Sequence, residues 1–138
     1  MSATLLYRIA AVVFLLFAVG HTVGFLTLRP PTADGRAVYE EMNSVRFVLE
    51  GRSYSYGEFY RGFGLSCTVS MLFSAFVSWY LAGLARSAPG AIGALGWAFF
   101  AAQVPGLVLS FLYFGIPPMV LSSLVAIILG CAAWLAAR

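Results

Sequence analysis

Four long apolar runs, almost free of charge, constrain this chain more than any other feature of its sequence. A helix that crosses a bilayer needs about 20 mostly apolar residues, because the hydrocarbon core is about 30 Å thick. Arg8 and Arg61 lie near the beginnings of the first two runs, and His21 is the other side chain in the four that can carry a positive charge. The runs cover residues 5–28, 59–84, 91–114 and 117–137. We therefore predict an all-α membrane protein, a four-helix transmembrane bundle that forms a single membrane domain over residues 1–138.

The composition supports the membrane interpretation and excludes a nucleic-acid-binding protein. Charged residues make up 9% of the chain and apolar residues 62%. A soluble domain carries about 25% charged residues, because water must solvate its surface. The formal charge of +3 is too small and too dispersed for nucleic-acid binding, although it suits anionic lipid headgroups.

The links between the predicted helices differ sharply in length. Residues 85–90 and 115–116 are short links, so the helices that they join must be antiparallel neighbours. The extramembrane loop over residues 29–58 is long and holds most of the charged residues. Counting arginines alone would place this loop in the cytoplasm. Its acids, its size and the even number of spans favour the opposite, with both termini cytoplasmic.

The long loop carries patterns typical of ordered structure. A short helix over residues 35–43 is predicted, with Asp34 as its cap. Apolar and polar residues then alternate over residues 44–56, with a possible turn at Gly51. This alternation is typical of half-buried strands. We predict a partly ordered loop with a possible β-hairpin, whose tyrosines lie at headgroup depth.

Small residues recur at a spacing of four along the predicted helices. Residues four apart share one helix face, and small ones let two backbones approach closely. We interpret the pattern as the helix packing of a tightly packed bundle; the functional alternative is a serine-lined polar pathway down the second helix, which offers no charge to recruit a substrate. The packing candidates are Gly20, Gly24, Gly62, Ser66, Ser70, Ser74, Ser78, Ala98, Ala102, Gly106, Ser110, Ala126 and Gly130.

Five polar side chains are candidates for a ligand site or polar cluster: His21, Glu58, Tyr60, Arg61 and Gln103. Ionisable groups inside a membrane are expensive and often functional. Together they offer a base, an acid, a phenol, an anion-binding guanidinium and a mid-membrane amide. The structural alternative is an interfacial belt in which Arg61 pairs with Glu58, while His21 and Gln103 bond neighbouring helices.

The sequence predicts no metal site, no cofactor and no catalytic residue. It contains no Cys-x-x-Cys pair and no cluster of histidine with acids. Cys67 and Cys131 are read as small core residues. They lie near opposite ends of their helices, so we predict that they are unpaired.

Several motifs are similar to those of known proteins over nearly the whole chain. The segments are GHTVGF at 20–25, MNSV at 42–45, YSY at 54–56 with FYRGFGL at 59–65, and ALGWAFF at 94–100. They resemble a family of small four-helix bacterial inner-membrane proteins. The resemblance implies four spans and a location in the bacterial inner membrane. It brings no established activity, so no catalytic residue is carried over.

Two functions remain open at this point. The first is a non-catalytic accessory subunit or scaffold that assembles with other membrane subunits or as a homo-oligomer. The alternative is a protein or enzyme that binds a lipophilic molecule, such as a lipid, quinone or isoprenoid, near His21 and Arg61. A small proton-coupled multidrug exporter ranks last, because no Asp or Glu lies within the four predicted spans. The expected partners are membrane lipids and membrane subunits, without nucleic acid.

Overall fold

A computed structural model describes residues 2–138 and is mostly helical. The elements, in chain order, are α1 (Ala3–Thr27), α2 (Ala33–Ser44), β1 (Arg46–Leu49), β2 (Arg52–Ser55), α3 (Tyr56–Ser87), α4 (Gly93–Tyr113) and α5 (Ile116–Ala136). A 3-10 turn, Pro89–Ala91, lies between α3 and α4.

Four of these helices, α1, α3, α4 and α5, are long and apolar enough to cross a membrane. Each begins and ends within one helical turn of the predicted limits. The chain is therefore a multi-pass membrane protein, and the predicted fold class is confirmed. Cys67 and Cys131 are free, as expected, although both are exposed rather than buried in the core.

The chain divides into two compact units, and α1 and α3 each contribute to both. The first, here called the four-helix unit, combines Met1–Phe17 with Met71–Arg138. The second, here called the loop unit, is Ala18–Ser70 and contains the end of α1, α2, the two strands and the first turns of α3.

The core of the four-helix unit lies between α1, α3, α4 and α5. Tyr7, Leu81 and Leu129 are completely buried there. Tyr7 packs against Gly96 so closely that a Cβ on Gly96 would lie 2.6 Å from the Tyr7 hydroxyl oxygen. The glycine thus allows α4 to approach α1 at this point. Most large apolar side chains outside this core are exposed, as lipid contact requires.

The helix α2 begins two residues earlier than predicted and has a different cap. Thr32 is the N-cap, and its hydroxyl oxygen accepts a hydrogen bond from the Gly35 N–H at 3.1 Å. Asp34, the predicted cap, lies inside the first turn of the helix. Both residue types cap helices well, so the sequence alone allows either register. In the structure Asp34 lies at the positive end of the helix dipole, where its negative charge stabilises the helix.

The two strands form the predicted antiparallel hairpin, with Arg46 opposite Ser55 and Leu49 opposite Arg52. Its two-residue turn places Glu50 at φ 51° and Gly51 at φ 78°. Positive φ at both positions is typical of a type I′ turn, the form that matches the twist of two strands. The return strand ends at Ser55, because the next residue begins α3.

Candidate functional site

His21 is held by the backbone of a neighbouring helix within the loop unit. It lies half-buried on α1, and its Nε2 is 3.0 Å from the carbonyl oxygen of Gly64 on α3. A carbonyl oxygen only accepts, so Nε2 donates the hydrogen bond. The imidazole also stacks on Phe25, with 5.7 Å between the ring centroids. These contacts make His21 a link between two helices.

Phe25 and two threonines complete the contact between α1 and α3 around His21. A Cβ on Gly64 would overlap the ring of Phe25, so only glycine leaves room for this ring. Thr22 donates to the carbonyl of Ala18 at 2.7 Å, and its oxygen is 2.9 Å from the Thr68 hydroxyl. Because the Thr22 proton is already used, Thr68 donates to Thr22. The polar groups here bond one another.

Glu58 caps the helix that carries it. The Ser55 N–H donates to Glu58 Oε2 at 2.6 Å, and the Glu58 N–H donates to Ser55 Oγ at 3.0 Å. This reciprocal pair is a capping box, which satisfies two N–H groups at the beginning of α3. Arg46 reaches the same carboxylate at 3.5 Å from β1. Glu58 therefore joins the hairpin to α3.

Arg61 bonds α2 instead of Glu58. Its Nη2 donates to Asn43 Oδ1 at 3.3 Å, and Asn43 Nδ2 donates to the Tyr39 carbonyl at 2.6 Å. A Cβ on Gly57 would overlap the Asn43 amide, so α2 and α3 touch closely at this point. Arg61 therefore connects the end of α2 to the first turns of α3 by a hydrogen bond.

Tyr60 and Gln103 take no part in these hydrogen bonds. The Tyr60 ring packs on Phe25, with 5.1 Å between the centroids. Gln103 lies half-buried on α4 and belongs to the four-helix unit. Within residues 2–138 neither side chain makes a hydrogen bond to the protein. The loop unit thus holds four of the five candidates, in separate networks around His21, Glu58 and Arg61.

The small-residue pattern divides into covered and uncovered members. Ser78, Ser110 and Ala126 are buried in the four-helix unit, where Ser74 and Gly130 are half-buried and the Phe100 ring lies 3.2 Å from where a Gly130 Cβ would stand. The exposed members are Gly20, Gly24, Gly62, Ser66, Ser70, Ala98, Ala102 and Gly106. Beyond the neighbouring residues and the backbone of its own helix turn, each exposed glycine has no heavy atom within 4 Å of where a Cβ would stand.

Four of the five serine hydroxyls of the pattern, all except that of Ser74, donate hydrogen bonds within their own helices. Ser66 and Ser70 donate to the carbonyls of Gly62 and Ser66, at 2.9 Å and 3.0 Å. Ser78 donates in the same way to Ser74 at 2.8 Å. These bonds consume the hydroxyl protons of the donating serines, which therefore offer acceptor oxygens rather than free donors.

A shallow groove of about 520 Å³ lies where β2 meets the first turns of α3. Three aromatic rings form much of its wall, and one carboxylate reaches it. The lining residues are Tyr54, Glu58, Phe59, Gly62, Phe63 and Ser66. Neither His21 nor Arg61 lines this groove, so the sequence-predicted cluster and the groove share Glu58 alone.

Sequence reasoning missed two partners that organise this region, Ser55 and Asn43. The spacing Ser55-x-x-Glu58 before an apolar run is a capping-box signature, so the first could have been found. No local signal marks Asn43, because its role depends on how α2 lies against α3. Within residues 2–138, no group of three or more His, Cys, Asp or Glu side chains is placed to hold a metal ion.

Comparison of the chain with known proteins adds no family assignment. No protein-family model, no curated protein and no solved structure matches it. What the chain does must therefore be inferred from its own contacts. Those contacts are helix caps, a hairpin and close helix–helix packing around His21, Glu58 and Arg61.

Proposed function

We propose that this chain is a non-catalytic integral membrane protein, an accessory subunit or scaffold of a larger membrane complex or of a homo-oligomer. The observation that carries the proposal is the set of uncovered glycines. Gly20, Gly24, Gly62 and Gly106 have no atom within 4 Å of a possible Cβ. Helices in lipid associate through small residues, because no hydrophobic effect drives them together there.

The reactive side chains support a structural role. His21 bonds the Gly64 carbonyl, the Glu58 carboxylate caps α3, and the Arg61 guanidinium bonds Asn43. General acid–base catalysis needs groups that converge on one substrate position. Here the three groups are instead divided among three contacts between elements.

The location that we propose is the bacterial inner membrane, with both termini in the cytoplasm. The resemblance to small bacterial inner-membrane proteins supports the membrane, and four spans bring both termini to the same side. Fusion of a periplasm-active reporter at either terminus should therefore give no signal, whereas insertion of the same reporter after Gly51 should give one.

Substitution of the uncovered glycines tests assembly. In Gly24→Leu and Gly62→Leu the Cβ of the new side chain finds open space beyond its own helix turn, so we expect both variants to fold. A leucine would hold a partner helix away, and we expect the crosslinked fraction in native membranes to fall about tenfold, which corresponds to about 1.4 kcal/mol.

Gly83→Leu is the matched control. Gly83 also lies on α3 with no atom within 4 Å of a possible Cβ, but it is outside the four-residue pattern. Crosslinking of this variant should equal that of the wild type. Equal crosslinking of all three variants and the wild type would contradict the proposed interface.

The groove favours a second candidate, a protein that binds a lipophilic small molecule such as a lipid, quinone or isoprenoid. Its aromatic walls and its volume of about 520 Å³ suit part of such a ligand. Gentle extraction followed by mass spectrometry separates the two candidates. Bound membrane subunits or copies of the chain support the scaffold, and a retained lipophile on a lone chain supports the second candidate.

A further inference from the structure

The charged side chains of the four-helix unit are all positive. Its charged side chains are Arg8, Arg86 and Arg138, and its sequence contains no Asp or Glu. The loop unit is different, because its arginines are accompanied by all five acids of the chain. An anion that approaches the four-helix unit therefore meets no competing carboxylate side chain.

All three arginines lie at the same end of the four-helix unit. Arg8 is in the second turn of α1, Arg86 in the last turn of α3, and Arg138 follows the end of α5. The link between α4 and α5 is short, so these helices are antiparallel and α5 ends where α4 begins. The contact between Tyr7 and Gly96 brings the beginning of α1 to this end too.

Two of the guanidinium groups lie over exposed tryptophan rings. The Arg8 Cζ is 5.6 Å from the Trp79 ring centroid, and the Arg138 Cζ is 3.4 Å from that of Trp134. A guanidinium that stacks on an aromatic face keeps its N–H edge free for other partners. Tryptophan itself is enriched at the level of lipid headgroups.

The donors of these arginines have no protein partner. Within residues 2–138, Arg8, Arg86 and Arg138 donate no hydrogen bond, although all three are exposed. Four of the loop-unit arginines do donate to protein oxygens, namely Arg29, Arg36, Arg46 and Arg61. The guanidinium N–H groups at this end of the four-helix unit are therefore free to bind an anion.

We propose that this surface, the end of the four-helix unit that carries Arg8, Trp79, Arg86, Trp134 and Arg138, binds the headgroup phosphates of anionic phospholipids. Guanidinium donors match phosphate oxygens in a planar, bidentate geometry. The tryptophan rings lie against the glycerol and upper acyl chain while the arginines hold the phosphate. Charge complementarity selects an anionic lipid over a zwitterionic one, because the unit has three arginine side chains and no Asp or Glu side chain that could pair with an ammonium group.

Intrinsic fluorescence provides the test, because all three tryptophans of the chain, Trp79, Trp97 and Trp134, belong to the four-helix unit. The full chain is reconstituted in vesicles that contain brominated phosphatidylglycerol or brominated phosphatidylcholine at equal mole fraction. We expect stronger quenching by the brominated phosphatidylglycerol. Equal quenching by the two lipids would overturn the proposal.

Arginine substitutions show which residues cause the preference. Each of Arg8→Gln, Arg86→Gln and Arg138→Gln should lower the preference for phosphatidylglycerol by up to about fivefold. Arg52→Gln is the matched control, because within residues 2–138 Arg52 is an exposed arginine without a hydrogen bond in the other unit. An equal loss in this control would contradict a localised site.

Salt and free phosphate provide a second measurement on the unaltered protein. The preference for phosphatidylglycerol should weaken as ionic strength rises. Glycerol phosphate at the same ionic strength should not reduce it further if the lipid is the ligand. A specific reduction by glycerol phosphate would show that the surface is a site for soluble phosphate instead.

Discussion

At the scale of single residues, the polar side chains of the loop unit form hydrogen bonds that connect its helices and strands. His21 is the clearest case, because its Nε2–H donates to a backbone carbonyl of another helix at 3.0 Å. Such a bond needs one N–H donor at the level of the Gly64 carbonyl, and it does not require the side chain to gain or lose a proton. A side chain with a donor but no acid–base chemistry at neutral pH should therefore replace it.

Substitution of His21 separates a structural from a chemical role. His21→Gln keeps an N–H donor for the Gly64 carbonyl, so we expect unchanged assembly and little loss of stability. His21→Leu removes the donor and should cost about 1 kcal/mol of unfolding free energy, measured by denaturation in detergent. If His21→Gln abolished the cellular role at unchanged stability, the non-catalytic account would fail at this residue.

Gly64 should tolerate no side chain, whereas Gly62 should. Alanine at position 64 forces the Phe25 ring away from His21 and Tyr60, and we expect a loss of about 1–2 kcal/mol from such overpacking. Gly62→Ala meets no atom within 4 Å and gains helix propensity, so it should be neutral or slightly stabilising. Thermal unfolding of both variants in one detergent measures the difference, and equal midpoints would contradict the described contact.

At the scale of elements, the beginning of α3 depends on the capping box. The hairpin and the helix meet through Ser55 and Glu58, whose backbone and side-chain groups bond each other reciprocally. The aromatic cluster of Phe47 with Tyr56 and Phe59 adds apolar contact at the same junction. The hairpin is therefore a fixed extension of the helix.

Loss of the cap should destabilise this junction. Ser55→Ala should cost about 1 kcal/mol and increase amide exchange in residues 46–55, because the hairpin loses its attachment to α3. In Glu58→Gln the amides of residues 46–55 should exchange almost as slowly as in the wild type, since glutamine also serves at this position of a capping box. The exposed Glu40→Gln is the control. Equally rapid exchange in Ser55→Ala and the wild type would show that the cap contributes little.

The elements were largely predictable from the sequence for a physical reason. Bilayer thickness fixes the length of a spanning helix, so four apolar runs almost free of charge define four helices within about one turn. The alternation of apolar and polar residues before Gly51 predicts the first strand. Gly51 itself suits a turn, because it adopts a positive φ there. The cap of α2 was not predictable, because Thr32 and Asp34 are both good caps two residues apart.

The partners of the candidate residues were less predictable. His21 was visible as an intramembrane donor, but its acceptor depends on the rotation of α1 and α3 about their own axes. The sequence suggests that Arg61 pairs with Glu58 at the interface. In the structure the Glu58 carboxylate instead accepts a hydrogen bond from the Ser55 N–H. Local sequence can reveal a cap, whereas a contact such as that of Arg61 with Asn43 depends on packing.

At the scale of the whole molecule, the four candidate spans contain few reactive side chains, and several of their small residues are exposed. The uncovered glycines lie on α1, α3 and α4, so the chain offers close approach to more than one neighbouring helix. In lipid such faces lower the free energy only when another helix packs on them. Assembly is therefore the central claim of this account.

The mass of the complex extracted from its own membrane tests that claim most directly. Native mass spectrometry after gentle extraction should show the chain bound to further copies or to other membrane subunits. The Gly62→Leu variant should show mainly the single chain, and Gly83→Leu should match the wild type. A wild-type protein of 14.8 kDa that carries no protein partner, with the same mass distribution in all three proteins, would contradict the account.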